Sequence, residues 1–128
     1  PFSVYGKRES NIISIINNKA SNNEILTIFG DGTQKRSFMD VNDICRAIDI
    51  VLLNEKAFYE EFNLSGEKEY SICDLVKLFN QKYKKQMKIE FKTSNVSEIS
   101  RNYADTNKIR SLGFNYQGDL RKYILKSL

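Results

Sequence analysis

The sequence predicts an α/β fold that forms one domain over residues 1–128. Segments with apolar residues at helical spacing alternate with short apolar runs typical of strands. The chain contains one proline and no internal repeat, and its 128 residues, 41% of them hydrophobic, suit a single core. The chain opens on an apolar stretch rather than on Met, so we expect it to be a piece of a longer protein.

Two of the about five predicted helices lie in the first half of the chain. The first spans residues 10–21 and carries an apolar stripe at the spacing of one helix face. The second is expected to begin at Asp43, which suits an N-cap, and to be well buried along one side. The stripes are Ile12, Ile13, Ile16 and Ala20 in the first helix, and Ile44, Ala47, Ile48, Val51 and Leu52 in the second.

Three further helices are predicted in the second half. Ser71 and Asp74 match a capping box in front of the apolar stripe Ile72, Leu75, Val76, Phe79 and Tyr83. A short helix covers residues 105–112 and stops at Gly113, a residue typical of helix C-termini. The last helix begins near Asp119 and buries one apolar face.

Short strands are predicted between these helices, and one of them suggests an incomplete sheet. In residues 61–65, Phe62 and Leu64 fall on one face and Asn63 on the other, as in a strand at the edge of a larger parallel sheet. We therefore expect this strand to dock on sequence outside the chain. The predicted strands are 3–5, 25–29, 37–39, 61–65 and 87–91.

Composition excludes several classes of function. The net charge of +4 is mild and scattered, which argues against a nucleic-acid partner. The absence of His excludes a His-based triad or imidazole metal site within this chain. Cys45 and Cys73 match no metal-binding spacing and are predicted to be reduced core thiols, which favours a cytoplasmic location. No apolar run reaches the ~20 residues of a membrane span, so no membrane partner is expected.

The stretch GDGTQKRSFMDVND, residues 30–43, is the strongest candidate for chemistry. It lacks the alternating ligands of a calcium loop and the GxxxxGK[ST] string of a phosphate loop. Asp31 and Gly32 are typical of a tight turn, and we expect a hairpin between the strands on either side. Arg36 then offers a planar fork for two phosphate oxygens, which Lys35 cannot imitate.

The order of motifs resembles a known family. VYGKR, ILTIFGDGTQKRSFMDVNDICRAI, EFNLSGEKEYSICDLVKLF and RNYADTNKIRSLGF follow one another as in the C-terminal part of NAD-dependent epimerases/dehydratases. These are extended short-chain dehydrogenases such as the UDP-glucose 4-epimerases and dTDP-glucose 4,6-dehydratases. The resemblance implies a small substrate-binding domain for a UDP- or dTDP-linked nucleotide sugar. NAD is then expected in an N-terminal Rossmann half that is missing from this chain.

The resemblance also implies roles for individual residues. Arg36 matches the arginine that contacts the diphosphate, and Ile28 and Phe29 match the strand that lines the pyrimidine pocket. Asn63 matches an asparagine that reaches the ribose or phosphate, and Arg101 matches a retained arginine of the substrate site. The aromatic ring of Phe29 is expected to pack against the base, whose edge is read by backbone groups.

The sequence departs from the family pattern at two positions and lacks the catalytic motifs. Ser37 replaces an aspartate that would orient Arg36, and Asn95 replaces a second phosphate-binding arginine, which implies a weakened diphosphate site. No glycine-rich dinucleotide turn and no Tyr-x-x-x-Lys pair occurs, so the fragment alone is predicted to bind no NAD and to be inactive.

Two interpretations of the function remain open from the sequence. One is the substrate-binding part of an epimerase, dehydratase or related enzyme. The other is a non-catalytic scaffold derived from the same fold. In both, the isolated chain is expected either to be monomeric or to self-associate through apolar faces left uncovered.

Overall fold

The computed structural model describes residues 3–6, 11–93 and 101–127. Within these ranges the chain forms five α-helices and seven short strands, which confirms the predicted α/β fold. The helices are α1 (Ile12–Ser21), α2 (Val41–Leu52), α3 (Ile72–Tyr83), α4 (Asn107–Arg110) and α5 (Leu120–Ser127). The strands are β1 (Val4–Tyr5), β2 (Leu26–Phe29), β3 (Lys35–Ser37), β4 (Met39–Asp40), β5 (Glu69–Ser71), β6 (Ile89–Lys92) and β7 (Arg101–Asn102).

The strands form three small sheets instead of one. β2 runs parallel to β6, and β1 runs parallel to β4. β3 is the central strand of the third sheet, antiparallel to β5 on one side and parallel to β7 on the other. The predicted hairpin between β2 and β3 is wrong, because the two strands belong to different sheets.

The larger hydrophobic core lies where α1, α3 and α5 pack together. The apolar stripes predicted for α1 and α3 line it, with Ile12 and Tyr83 only partly buried at its edge. Ile28 of β2 and Tyr5 of β1 close the core from the strand side. Its helical residues are Ile13, Ile16 and Ala20, then Ile72, Leu75, Val76 and Phe79, then Leu120 and Ile124.

A smaller core forms against one side of α2. Met39, Ala47, Ile109 and Phe114 are fully buried there. The prediction that α2 is well buried along its apolar stripe is wrong for part of that stripe, because Ile48 is 49% exposed and Leu52 69% exposed. The described part of the chain thus leaves an apolar helix face in contact with solvent.

Residues 61–65 do not form the predicted strand, since no described strand pairs with them. The predicted division of their faces is nevertheless correct. Phe62 and Leu64 pack against the smaller core, whereas Asn63 is exposed. The side-chain alternation therefore comes from packing on one side alone.

The N-cap of α2 is Asp40 and not Asp43 as predicted. Asp40 ends β4, and its Oδ1 accepts a hydrogen bond from the Asn42 amide at 2.8 Å. Asp43 lies one turn further on and is fully buried. Its carboxylate accepts hydrogen bonds from the amides of Gln117 at 3.1 Å and Gly118 at 2.9 Å, and it forms an ion pair with Arg46.

The start of α3 matches its prediction closely. Ser71 is both the last residue of β5 and the N-cap of α3, and it forms the full capping box with Asp74. The hydrogen bonds from the Ser71 backbone and hydroxyl lower the pKa of Asp74. The cap therefore joins a strand to a helix without an intervening loop.

The last two helices lie where expected, and α4 is shorter than predicted. α4 covers one turn, and Gly113 follows it with a positive φ of 98°. α5 begins directly after Asp119, as predicted, and Leu120 and Ile124 are buried.

The cysteine prediction is partly wrong. Both thiols are free, but Cys45 is exposed and Cys73 is half-buried, so neither is a core thiol. Among the described residues, no helix has the length and apolar character needed to cross a bilayer.

The capping box gives a first prediction. Ser71→Ala removes the hydroxyl that accepts from the Asp74 amide and should cost about 1 kcal/mol of stability. Ser21→Ala, at the exposed C-terminal end of α1, should change it by less than about 0.5 kcal/mol. Urea unfolding of the two variants measures the difference. Equal midpoints would show that the cap does not stabilise α3.

The buried carboxylate of α2 gives a second prediction. Asp43→Ala leaves Arg46 and the two loop amides without their partner and should cost about 3 kcal/mol. Asp49→Ala removes an exposed carboxylate from the same helix and should cost less than about 0.5 kcal/mol. Thermal unfolding of both variants provides the measurement. A small loss for Asp43→Ala would contradict its role as the anchor of residues 117–118.

Candidate functional site

The candidate site is built around a turn at Gly30–Gly32. Gly30 and Gly32 have φ angles of 78° and 75°, a region that favours glycine. Between them, the Asp31 carboxylate accepts hydrogen bonds from the Thr33 amide at 2.9 Å and the Thr33 hydroxyl at 2.6 Å. These bonds lower the pKa of Asp31. The predicted tight turn is therefore present, although it joins two sheets and not a hairpin.

The glycine turn is seated on the first turn of α3. The Cys73 amide, which lacks a partner within its own helix, donates to the Gly32 carbonyl at 3.2 Å. A Cβ atom on Gly32 would lie 2.8 Å from Cys73 Sγ, so only glycine fits without displacement. This contact fixes the end of β2 relative to the start of β3.

Phe29 and Ile28, both predicted to line a base pocket, face opposite sides of β2. Ile28 is 4% exposed and belongs to the larger core, whereas Phe29 is 52% exposed. Ile28 thus supports the strand from behind. The Phe29 ring is the one of the two that can stack on a planar ligand.

Arg36 lies in the middle strand of the three-stranded sheet. Its neighbours in register are Tyr70 on β5 and Asn102 on β7. Its Nη1 donates to the Lys35 carbonyl at 2.8 Å, and the side chain is half-buried. The guanidinium is therefore held close to its own strand, on the face shared with Tyr70 and Asn102.

Ser37, which replaces the family's aspartate, points away from Arg36. Consecutive strand residues face opposite sides, and Ser37 is fully buried. Its hydroxyl lies 2.6 Å from the hydroxyl of Ser65. Position 37 therefore anchors residues 61–65 to β3 and is not placed to orient Arg36.

The contact between the Ser37 and Ser65 hydroxyls also holds the segment that carries Asn63 next to β3. Asn63 is exposed, two residues before Ser65. The Gly66 backbone packs so closely on Phe38 that a Cβ there would meet the Phe38 carbonyl oxygen at 2.1 Å. The structure thus brings the segment carrying Asn63 to the strand carrying Arg36, with the amide open to solvent.

Arg101 lies next to this strand but on its other face. It is adjacent to Lys35 in register, and its guanidinium binds Glu69 through Nε at 2.8 Å and Nη2 at 2.7 Å. The hydrogen bond from Arg101 lowers the pKa of Glu69. The structure therefore does not bring the two arginines together around one ligand. Asn95, the predicted site of the lost arginine, lies outside the described residues.

Sequence reasoning missed Gln34. Its Nε2 donates to the Phe29 carbonyl across the glycine turn at 3.3 Å. No sequence signal points to this contact, because its acceptor is a backbone carbonyl that any residue at position 29 would supply.

A small cleft beside the site holds a buried tyrosine. Tyr5, Asp40 and Asp119 line it, and its volume is about 80 Å³, far below the ~300 Å³ at which ligand pockets begin. Burial, and then the charges of Asp40 and Asp119, raise the pKa of Tyr5 well above its usual value. Tyr5 is therefore unsuited to act as a general base. In the described ranges, no three side chains cluster in a way that could hold a metal ion.

The glycine turn supplies a third prediction. Gly32→Ala introduces positive-φ strain and a clash with Cys73 and should cost about 2 kcal/mol or more. Gly30→Ala has the same strain but open space around its Cβ, and should cost about 1 kcal/mol. Denaturant unfolding compares them. If Gly30→Ala costs as much as Gly32→Ala, the turn is not seated on α3 as described.

Comparisons with known proteins agree with this architecture. The sequence model of the NAD dependent epimerase/dehydratase family matches residues 1–65. A Methanocaldococcus jannaschii protein assigned as a UDP-glucose 4-epimerase is 32% identical over 126 residues, covering 94% of this chain and 40% of that protein. UDP-glucuronic acid decarboxylase 4 of Arabidopsis thaliana is 29% identical over 115 residues, covering 87% of this chain and 26% of the relative.

A solved structure extends the agreement to three dimensions. The crystal structure of UDP-glucuronic acid 4-epimerase from Bacillus cereus, in complex with UDP-glucuronic acid and NAD, matches with a TM-score of 0.86 at 28% identity. The match covers 96% of this chain and 40% of that one, so this chain spans less than half the length of such relatives. Because the family model covers 65 of the 128 residues, the chain belongs to the NAD-dependent epimerase/dehydratase family.

Proposed function

We propose that this chain is the C-terminal, nucleotide-sugar-binding part of an NAD-dependent sugar-nucleotide epimerase or dehydratase. The observation that carries the proposal is the fixed glycine turn, with the exposed Phe29 ring before it and Arg36 after it. A ring that stacks on a base and a guanidinium that binds phosphate are the two groups a nucleotide diphosphate needs.

The phosphate contact is assigned to Arg36 on chemical grounds. Its planar guanidinium offers two parallel donors to two phosphate oxygens, and it stays charged at any physiological pH. Arg101 is a weaker candidate for the phosphate contact, because its Nε and Nη2 already donate to the Glu69 carboxylate. Asn63 is proposed to contact the ribose or a phosphate from the neighbouring segment. Ile28 contributes to the site indirectly, because its buried side chain holds the backbone of β2 in place.

NAD is proposed to bind to another part of the full-length protein. Dinucleotide sites place a glycine-rich turn between a strand and the N-terminus of a helix. The glycine turn of this chain leads from β2 into another strand, so its residues do not fit NAD. The B. cereus relative holds both UDP-glucuronic acid and NAD in a chain about two and a half times as long, which supports this division. The 128 residues alone are accordingly proposed to be inactive.

The exposed face of α2 is proposed to be covered by the remainder of the protein. Ile48 and Leu52 on α2, and Leu53, Phe58 and Tyr59 beyond it, are large apolar residues that are all exposed. Several large exposed apolar residues in one short part of the chain favour an interface there. An N-terminal Rossmann half would bury it, whereas the isolated chain would self-associate through it.

A fourth prediction tests the binding assignment in the full-length gene product. Arg36→Ala should weaken UDP binding by about tenfold or more, since charge-assisted hydrogen bonds are lost. Lys35→Ala removes the same charge from the opposite face of the strand and should have a much smaller effect. Isothermal titration calorimetry with UDP gives both values.

The proposal fails if the wild-type protein shows no UDP binding, or if Arg36→Ala and Lys35→Ala weaken it equally. Equal losses would mean that overall charge, and not the Arg36 fork, attracts the diphosphate. A full-length protein that binds UDP but no NAD would favour the non-catalytic scaffold.

A further inference from the structure

The side chain of Gln34 reaches back across the glycine turn. It stands between the turn and β3, and its Nε2 donates to the carbonyl oxygen of Phe29 at 3.3 Å. This contact joins the residue that ends β2 to the residue that precedes β3. The Cys73 amide holds the same turn at Gly32.

The Phe29 backbone lies at an edge of β2 that no described strand covers. The Leu26 amide donates to the Lys88 carbonyl and the Gly30 amide to the Lys92 carbonyl, both at 2.9 Å. Because backbone direction alternates along a strand, the even-numbered residues face β6 and Phe29 faces the other way. Its N–H and C=O are therefore directed away from β6, toward the edge of β2 that no described strand covers.

Gln34 also precedes Arg36 by two residues and lies directly outside β3. Along the chain, Gln34 thus stands between Phe29, which its carboxamide contacts, and Arg36. In a ligand whose base meets Phe29 and whose diphosphate meets Arg36, the base end lies beside the Gln34 carboxamide.

We infer that Gln34 is a positioning residue for base recognition, an inference that rests on the proposed function. A carbonyl oxygen has two lone pairs, and the Gln34 amide occupies one of them. This holds the Phe29 carbonyl so that its second lone pair accepts from a base N–H, while the Phe29 N–H, which precedes that carbonyl in the chain, donates to a base carbonyl. The complementary ligand is a nucleotide base with an N–H beside a C=O, as in uracil and thymine.

The neutral carboxamide suits this position for an electrostatic reason. It supplies a donor to Phe29 without adding a charge beside Arg36, so the base contact and the phosphate contact remain separable. A change at Gln34 should alter the part of the affinity that depends on the base and leave the phosphate part intact.

The test compares UDP with inorganic pyrophosphate on the full-length gene product. Gln34→Ala and the isosteric Gln34→Met both remove the donor to Phe29. Each should weaken UDP binding by about three- to tenfold, the range expected for one hydrogen bond. Pyrophosphate binding should stay within about twofold of the wild type, since Arg36 is unchanged. Gln81→Ala, on the exposed surface of α3, is the matched control and should change neither affinity.

Three results would overturn the inference. Unchanged UDP binding in both Gln34 variants would show that the contact positions nothing of consequence, while the proposed function still stands. Equal losses for UDP and pyrophosphate would show a general structural role. Wild-type protein that binds neither ligand would overturn the proposed function itself, and the inference with it.

Discussion

The hydrogen bond from the Cys73 amide to the Gly32 carbonyl is the contact on which the site depends. β2 and β3 belong to different sheets, so no strand pairing fixes one relative to the other. The glycine turn connects them, and the first turn of α3 holds that turn through an amide that its own helix leaves unpaired. Phe29 and Arg36 consequently flank a turn that is anchored to α3.

Two further buried polar contacts hold the surrounding elements. The Ser37 and Ser65 hydroxyls join β3 to the segment that carries Asn63, and the Asp43 carboxylate joins α2 to residues 117–118. Each satisfies polar groups that would be costly to bury alone. The polar residues with a structural role thus lie on the buried side of the strands, and the proposed ligand-binding groups lie on the side open to solvent.

Local features of the fold were predictable from sequence, and non-local ones were not. The capping box at Ser71 and the stripes of α1 and α3 depend on spacings of three or four residues, so the sequence displays them directly. The choice of Asp40 over Asp43 as the cap of α2 depends on the pairing of β4 with β1. Nothing within the helix distinguishes the two aspartates, because each precedes an apolar periodic run.

In the candidate site, too, local features were predictable from sequence and non-local ones were not. The proposal that Arg36 contacts phosphate follows from its chemistry and from the family resemblance. Gln34 was missed because its partner, the Phe29 carbonyl, is a backbone group with no sequence signature. The opposite faces of Arg36 and Arg101 could be seen only once β7 was known to pair with β3. The exposed side of α2 was predicted to be buried, because periodicity reveals that a face is apolar but not what covers it.

The most direct test of this account is a crystal structure of the full-length protein with UDP bound. The account predicts that the base lies against Phe29, that the diphosphate contacts Arg36, and that Gly32 remains bonded to Cys73. UDP bound away from these residues would contradict the assignment of the site. UDP bound there with the glycine turn displaced from α3 would contradict the claim that the turn is anchored to α3.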